Sequence, residues 1–203
     1  TVFSTNCSSS TIYGCTDTLS CNYNLIATID DSSCMYLDII AVPTSVSCFG
    51  MFDGSISATA TGGTFPLQYS LGAGLSQTSG TFSNLSAGTY YIDVTDANGC
   101  SSNQMVVITE PSALIVSVTT TNVSCFGMCN GSAFAMSSGG YLPYTYLWSN
   151  GNITDASTNL CPGTYTCTVT DANNCITPST VIITEPAALS ISVDSTDETS
   201  ALN

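Results

Sequence analysis

The chain has 203 residues with no Lys, Arg or His, and its 14 acidic residues give a formal net charge of −14. The missing cations exclude nucleic-acid binding, which depends on Lys and Arg that neutralise phosphates, and attraction to anionic lipid. Imidazole is also absent as a general base or metal ligand. A hydrophobic fraction of 43% is nevertheless too high for a disordered chain.

The residue types favour short strands and turns. Gly, Ser, Thr, Val and Tyr are abundant, while long-chain helix formers are scarce. No apolar run reaches the about 18 residues that a membrane-spanning helix needs, so we predict no membrane insertion. Because no basic segment follows Thr1, we expect any signal peptide to have been removed.

Residues 1–36 form a segment rich in cysteine and poor in apolar residues, and its cysteines are Cys7, Cys15, Cys21 and Cys34. Such a segment cannot fold around a hydrophobic core and needs covalent links, so we predict two local disulfides of open connectivity. The carboxylates of Asp17, Asp30 and Asp31 could hold calcium, but their spacing matches no calcium loop. We favour a solvated, disulfide-pinned module without a cofactor.

Two copies of one repeat follow, at about residues 37–111 and 112–186. The shared motifs are Val-Ser-Cys-Phe-Gly-Met, Gly-Gly, Gly-Thr-Tyr, Val-Thr-Asp-Ala-Asn and Ile-Thr-Glu-Pro. Between them, apolar residues alternate with polar ones, as at Ile56 and Ala58 or at Tyr146 and Trp148. Alternation with one apolar face predicts half-buried antiparallel sheets, and about seven strands in each copy predict a small β-sandwich.

The sequence Asp96-Ala97-Asn98-Gly99 predicts a tight turn, because Asp caps the turn backbone and Asn-Gly supplies positive φ. The alternative is a calcium loop that uses Asp93, Asp96 and Asn98. These oxygens are too few for calcium, so we favour the turn.

Eleven cysteines indicate an oxidising, extracellular compartment. Zinc is the competing interpretation, but neither His nor a paired Cys-x-x-Cys unit supports it. Cys48 and Cys100 occupy the same repeat positions as Cys125 and Cys175. We therefore predict one disulfide within each copy, closing a loop of about 50 residues.

Three further cysteines belong to the second copy only. Cys129 and Cys161 lie in loops, and their paired gain predicts one added disulfide. Cys167 replaces Ile92 on the inward face of a strand. A buried free thiol packs as a small hydrophobic group, so we predict that Cys167 is unpaired.

The combined motifs resemble the SprB-type repeat of large secreted surface proteins of Bacteroidota, a family that includes gliding-motility adhesins. The resemblance covers about residues 37–186 and implies immunoglobulin-like sandwiches, secretion and a surface role without enzymatic activity. Gly-Cys-Thr-Asp and Asp-Asp-Ser-Ser-Cys in the first segment resemble a short module of similar surface proteins, with Ser32 in place of its usual Gly. The expected architecture is all-β, with tandem sandwiches and a small disulfide-pinned module.

The same resemblance implies O-glycosylation of a Ser or Thr that follows an Asp and precedes a small or apolar residue. This motif predicts sugar on Thr18 and Ser195. N-glycosylation sequons, which chance also produces in a chain rich in Asn, Ser and Thr, occur at Asn6, Asn84, Asn122, Asn130 and Asn152.

Catalysis is not predicted. Paired carboxylates could serve as general acid and general base, and the candidates are Asp93, Asp96, Asp171 and Glu110. These residues recur at turns and repeat junctions, which is typical of structural residues. Serine nucleophiles lack a His or Lys base, and cysteine nucleophiles lack an electropositive site.

Phe134 and Met136 occupy outward strand positions where the first copy has Ser57 and Thr59. Large apolar groups on a solvent face mark a contact, so we predict that they touch another subunit or a glycan. The alternative is a bulge that turns both side chains into the core.

Residues 187–203 begin a third copy and then stop, which leaves one strand with an apolar face of Leu189, Ile191 and Val193. An isolated strand has unpaired amides. We expect it to enter the sheet of a neighbouring copy and to form a homopolymeric filament. The alternatives are a stalk fragment of a larger adhesin and a carbohydrate-binding module, whose aromatic candidates are Phe65, Tyr91 and Tyr141.

Overall fold

The computed structural model describes residues 11–193, and every regular element in that range is a β-strand. The chain divides into two compact units, with the boundary between Pro111 and Ser112. The described part of the cysteine-rich segment, residues 11–36, lies within the first unit, and the separate module expected over 1–36 stays a prediction. Within residues 11–193, no helix has the length and apolarity to cross a membrane.

Short and long strands make up the first unit: β1 (Tyr13–Gly14), β2 (Ile29–Asp30), β3 (Leu37–Thr44), β4 (Gly54–Gly62), β5 (Gln68–Leu71), β6 (Thr81–Leu85), β7 (Gly88–Thr95) and β8 (Ser101–Ile108). The second unit repeats the longer strands: β9 (Ile115–Thr121), β10 (Gly131–Ser138), β11 (Thr145–Trp148), β12 (Ala156–Leu160), β13 (Gly163–Thr170) and β14 (Ile176–Ile183).

Each repeat forms two three-stranded antiparallel sheets. Their orders are β3-β4-β6 and β5-β7-β8 in the first unit, and β9-β10-β12 and β11-β13-β14 in the second. In immunoglobulin nomenclature these are the A-B-E and C-F-G sheets, and the strand that would occupy position D is not formed in the described residues. The predicted all-β architecture of tandem immunoglobulin-like sandwiches is therefore confirmed.

The core of each sandwich comes from alternate residues of facing strands. Ile92 and Val94 on β7 are fully buried, as are their counterparts Cys167 and Val169 on β13. Trp148 on β11 pairs in register with Cys167 and is also buried. A buried Trp on strand C is a hallmark of immunoglobulin domains, and here it packs in the cluster that contains the Cys167 thiol.

A tyrosine fixes the turn between strands E and F in both units. The Tyr90 hydroxyl donates to the carbonyl oxygen of Ser86 at 2.9 Å, and the Tyr165 hydroxyl donates to that of Cys161 at 3.1 Å. This is the tyrosine corner of immunoglobulin-like sandwiches. The recurring Gly-Thr-Tyr motif is therefore the start of strand F.

The described disulfides include two local pairs and one long-range pair that the sequence did not predict. The described pairs are Cys15–Cys34, Cys21–Cys100 and Cys129–Cys161. The Cys129–Cys161 pair and the buried free thiol of Cys167 are those expected from the sequence. The expectation of only local bridges in the first segment is wrong for Cys21, which is bonded 79 residues away. Cys7 lies outside the described residues.

The predicted Cys48–Cys100 disulfide is wrong, because Cys100 is bonded to Cys21. Cys100 directly precedes β8, whereas the loop of Cys48 is hydrogen-bonded to Thr109 just after β8. An eight-residue strand spans about 26 Å, and cysteines whose Cα atoms are more than about 7 Å apart cannot be bridged.

The predicted Cys125–Cys175 disulfide is wrong for the same geometric reason. Cys175 precedes β14, and the loop of Cys125 is hydrogen-bonded to Thr184 beyond the end of that strand. Cys125 is a free, exposed thiol, and Cys175 is disulfide-bonded, as is Cys48. The two cysteines that recur in each repeat therefore lie at opposite ends of its sandwich and are not bonded to each other.

The adjacent residues Ile182 and Ile183 on β14 test this packing, because they are 63% and 1% exposed. Ile183→Ala should lower the free energy of unfolding of the second unit by about 2–5 kcal/mol, since it leaves a cavity. Ile182→Ala should change it by less than about 0.5 kcal/mol. Urea unfolding followed by fluorescence of Trp148, the single Trp, measures both. Equal losses would contradict the assigned register.

Candidate functional site

The strongest repeated feature is a loop between the first two strands of each sandwich, here named the Cys-Phe loop (46–51 and 123–128). In the first unit, the Gly50 amide donates to Glu110 Oε2 at 2.9 Å. In the second, the Gly127 amide donates to Glu185 Oε2 at 2.8 Å. Both glycines have a φ of 74°, where side chains are disfavoured. The Glu of each Thr-Glu-Pro motif therefore holds the loop against the end of the last strand.

The Cys-Phe loop presents apolar side chains to solvent in both units. The exposed residues are Phe49, Met51, Phe126 and Met128. A side-chain oxygen closes the base of each loop. Ser47 N donates to Asp53 Oδ1 in the first unit, and Ser124 N donates to Asn130 Oδ1 in the second, each at 3.0 Å. Asn130 replaces Asp without changing the loop because it supplies the same oxygen acceptor.

The turn between strands F and G, here named the F–G turn (96–100 and 171–175), is held by a buried aspartate. Asp96 Oδ1 accepts the amides of Asn98 and Cys100, and its Oδ2 accepts the amide of Thr64. The Thr64 amide, together with the turn amides, lowers the pKa of Asp96 against the effect of burial. The carboxylate is committed to the turn, as the favoured interpretation of this motif predicted.

Asp171 repeats this arrangement in the second unit. Its Oδ1 accepts the amides of Asn173 and Cys175, and its Oδ2 accepts the amide of Tyr141 at 2.9 Å. Burial raises the pKa of Asp171, but these amides together outweigh burial and lower it. Asn174, with a φ of 64°, takes the position of Gly99 because Asn tolerates left-handed backbone.

The carboxylates of the first segment also serve local structure. Asp17 accepts the Leu19 amide and the Tyr36 hydroxyl, which lower its pKa, the hydroxyl more. Asp30 and Asp31 each accept an amide two residues ahead. Among residues 11–193, no group of three or more Cys, Asp or Glu is arranged to hold a metal ion.

The two outward residues of β10 lie where the alternation placed them. Phe134 and Met136 are 42% and 50% exposed, while Ala133 and Ala135 between and beside them are buried. The exposed Ile115 on β9, paired with Ser138, adds a third large apolar group to this sheet face. The contact with a subunit or glycan stays a prediction.

Residues Ala187–Val193 have no strand partner in the described structure. Their apolar side chains Leu189, Ile191 and Val193 are 92%, 82% and 86% exposed. The aligned residues of the second repeat pack against its core; they are Leu114, Val116 and Val118. The segment therefore carries the inward-facing pattern of a first strand without a sheet.

The glycosylation candidates in the described range are mostly at the surface. Thr18, Asn84, Asn122 and Asn130 are exposed, and Asn152 is half-buried. Asn6 and Ser195 lie outside the described residues. Of the aromatic candidates, Phe65, Tyr91 and Tyr141 are exposed. The buried Trp148 belongs to the core, where its indole N–H donates to the Thr154 carbonyl oxygen.

Tandem immunoglobulin-like sandwiches with disulfides define the class of this molecule as a multidomain protein of an oxidising compartment. The family model of the SprB repeat matches residues 40–75 and 117–153. The chain thus carries two SprB repeats, one in each sandwich, and its disulfides indicate an oxidising, extracellular environment. No curated protein matches the chain.

The solved structures that resemble this chain share little sequence identity with it and have low TM-scores. A chain from "Structural basis for Dscam isoform specificity" has 14% identity and a TM-score of 0.32, covering 73% of this chain and 47% of its own. Another match is a 282-residue C-terminal fragment of intimin, in complex with the intimin-binding domain of the translocated intimin receptor. It has 15% identity and a TM-score of 0.35, and the match covers 74% of this chain and 64% of that chain. The amphioxus IgVJ-C2 molecule has 15% identity and a TM-score of 0.29, covering 73% and 96%.

Sequence reasoning missed the role of Glu110 and Glu185, which were assigned only to the repeat junctions. The signal was present, because each Glu follows a Cys-Phe-Gly-Met motif at nearly the same distance, 60 residues from Gly50 to Glu110 and 58 residues from Gly127 to Glu185. Only the folded sandwich brings the two motifs together, across about 60 residues of chain.

The lowered pKa of Asp171 predicts a pH-dependent stability of the second unit. Stabilisation by the ionised carboxylate is present above its unfolded pKa of about 3.9 and is lost as the pH falls through the lower folded pKa. Asp171→Asn should therefore lower the urea midpoint at pH 7, and this difference should shrink as the solution is acidified below the unfolded pKa. Trp148 fluorescence measures the midpoints, with the exposed Asp155→Asn as control. A difference that is constant with pH would contradict the assignment.

Proposed function

We propose that the chain is a non-enzymatic structural protein of an extracellular surface fibre, in which sandwiches stand in series and Ala187–Val193 joins the next sandwich by strand addition. The observation that carries the proposal is an exposed apolar strand sequence without a sheet. Water satisfies its amides, but its Leu, Ile and Val side chains gain about 1.5–3 kcal/mol each when buried.

The sandwiches offer edges for such a strand. In each unit the first-strand position is filled, by β3 and by β9, so a donated strand must pair elsewhere. Within residues 11–193, the edge strands β6 and β12 have no partner on the side of the position that strand D occupies in immunoglobulin domains. An incoming strand can add there through backbone hydrogen bonds without displacing a strand.

The arrangement predicted from the sequence places the receiving sandwich in another copy of the chain. The contact is then heterologous, and repeated addition extends a filament. The absence of Lys and Arg supports an exposed linking segment, because proteases specific for these residues have no site in the chain.

A second arrangement is favoured by one specific observation. Leu189, Ile191 and Val193 align with three residues at the start of the second repeat that pack against the core of its sandwich, namely Leu114, Val116 and Val118. In this arrangement the segment opens a further repeat of the same polypeptide, and the chain is part of a stalk.

Point variants on the two faces of the segment distinguish specific strand addition from general effects of charge. Ile191→Asp places a carboxylate on the apolar face and should abolish polymerisation, as should deletion of residues 187–203. Ser192→Asp adds the same charge to the opposite face and should leave polymerisation intact. Electron microscopy and sedimentation measure the polymer, and Trp148 fluorescence checks that the second sandwich stays folded.

Two outcomes separate the arrangements. Filaments that persist after deletion of 187–203 would rule out strand addition by this segment. A wild-type chain that stays monomeric at every concentration would exclude the filament and leave the stalk arrangement.

A further inference from the structure

We propose that Cys125 is a covalent attachment point, where the second sandwich forms a disulfide with the F–G turn cysteine of a further SprB repeat that follows it. This inference goes beyond the proposed function and rests on its second arrangement, in which a further repeat of the same polypeptide follows the second sandwich. Its test does not depend on polymerisation.

The first observation is the contrast between two equivalent cysteines. Cys48 and Cys125 occupy the same position of the Cys-Phe loop, and both loops have the same glycine–glutamate and turn hydrogen bonds. Cys48 is disulfide-bonded, whereas Cys125 is free and exposed. A position built for a disulfide is therefore left open in the second repeat alone.

The second observation identifies the kind of cysteine that bonds across a repeat boundary. The F–G turn cysteine of the first repeat, Cys100, is bonded to Cys21 in the segment that precedes that repeat, with a Cα–Cα distance of 5.2 Å. Its amide is fixed by Asp96 Oδ1 at 2.8 Å. The F–G turn of the first repeat therefore holds its cysteine beside the segment that precedes the sandwich.

The topology places the two cysteines of a repeat at opposite ends of its sandwich. In the second unit, the F–G turn is bonded to residues near the incoming chain, since Asp171 accepts the Tyr141 amide and Gly140 N donates to the Ser112 carbonyl oxygen. The Cys-Phe loop is bonded to Glu185, where the last strand leaves. The proposed disulfide therefore joins the end of the second sandwich where the chain leaves to the end of a following sandwich where the chain enters.

A second copy of this chain does not supply the partner. Its F–G turn cysteines, Cys100 and Cys175, are both already disulfide-bonded. In this proposal the partner is a further repeat with the turn sequence Asp-Ala-Asn-x-Cys, which follows the second sandwich in the same polypeptide. The exposed Phe126 and Met128 beside Cys125 give that sandwich an apolar surface to contact.

The bond forms by oxidation of two thiols. Each thiol loses one proton, and the pair loses two electrons to an external disulfide, such as glutathione disulfide. Attack by one thiolate on that disulfide releases one glutathione thiolate and forms a mixed disulfide. The second protein thiolate then displaces the other glutathione, which leaves the protein disulfide and two reduced glutathione molecules.

The test uses a three-repeat chain, in which a second copy of residues 112–186 is inserted between Pro186 and Ala187. After oxidation with glutathione disulfide, free thiols are alkylated and a non-reducing digest is analysed by mass spectrometry. We expect the Cys125 peptide to be linked to the F–G turn cysteine of the inserted repeat. Alkylation of Cys125 should fall at least about tenfold relative to the original chain, because a disulfide sulfur is not a nucleophile.

Two matched serine variants test the pairing from each side. Cys125→Ser should leave the inserted F–G turn cysteine open to alkylation, and serine at that inserted cysteine should restore alkylation of Cys125. Cys167→Ser, at a buried thiol whose pKa is raised by burial, should leave the new link unchanged. The three-repeat chain has two Trp residues, and a fluorescence change on unfolding that is about twice that of the original chain shows that the third sandwich is folded.

The proposal is overturned if Cys125 stays fully alkylated while the third sandwich is folded. It is also overturned if the oxidised product is a Cys125–Cys125 dimer, which would make the loop a contact between copies.

Discussion

The structure depends on one electrostatic constraint: a chain without a cationic side chain cannot pair its carboxylates with opposite charges. A carboxylate that is taken out of water must be satisfied in another way, and here the donors are backbone amides. Asp96 and Asp171 each accept three of them. Hydrogen bonds to an ionised acceptor are stronger than neutral ones, so each acid fixes the backbone that surrounds it.

The carboxylates that obey this constraint define the two ends of each sandwich. Asp96 and Asp171 shape the F–G turn at one end, and Glu110 and Glu185 hold the Cys-Phe loop at the other. The ends carry cysteines, and the loop also carries exposed apolar residues. The hydrogen-bonded carboxylates, the exposed apolar residues and the cysteines are therefore concentrated at the ends of each sandwich.

The two cores show how much substitution this scaffold accepts. Cys167 takes the place of Ile92 at the centre of the F strand, and the Leu71 position on strand C becomes Trp148. The smaller thiol and the larger indole are paired in register, so the substitutions compensate in volume within one cluster. Cores tolerate such exchanges when total volume is kept, and the tyrosine corner and the carboxylate-held turns stay the same.

The sequence by itself determined the repeat, the strand class, the inward and outward faces and the carboxylate turns. Each of these is local: strand alternation has a period of two residues, and the turn motif at 96–100 contains its own acceptor and most of its donors. The outward placement of Phe134 follows from alternation alone. Disulfide pairing and the role of Glu185 were decided by tertiary structure. Equivalent spacing in a repeat cannot tell whether two cysteines lie side by side or at opposite ends of a strand, because that distance is set by how the sheets are ordered.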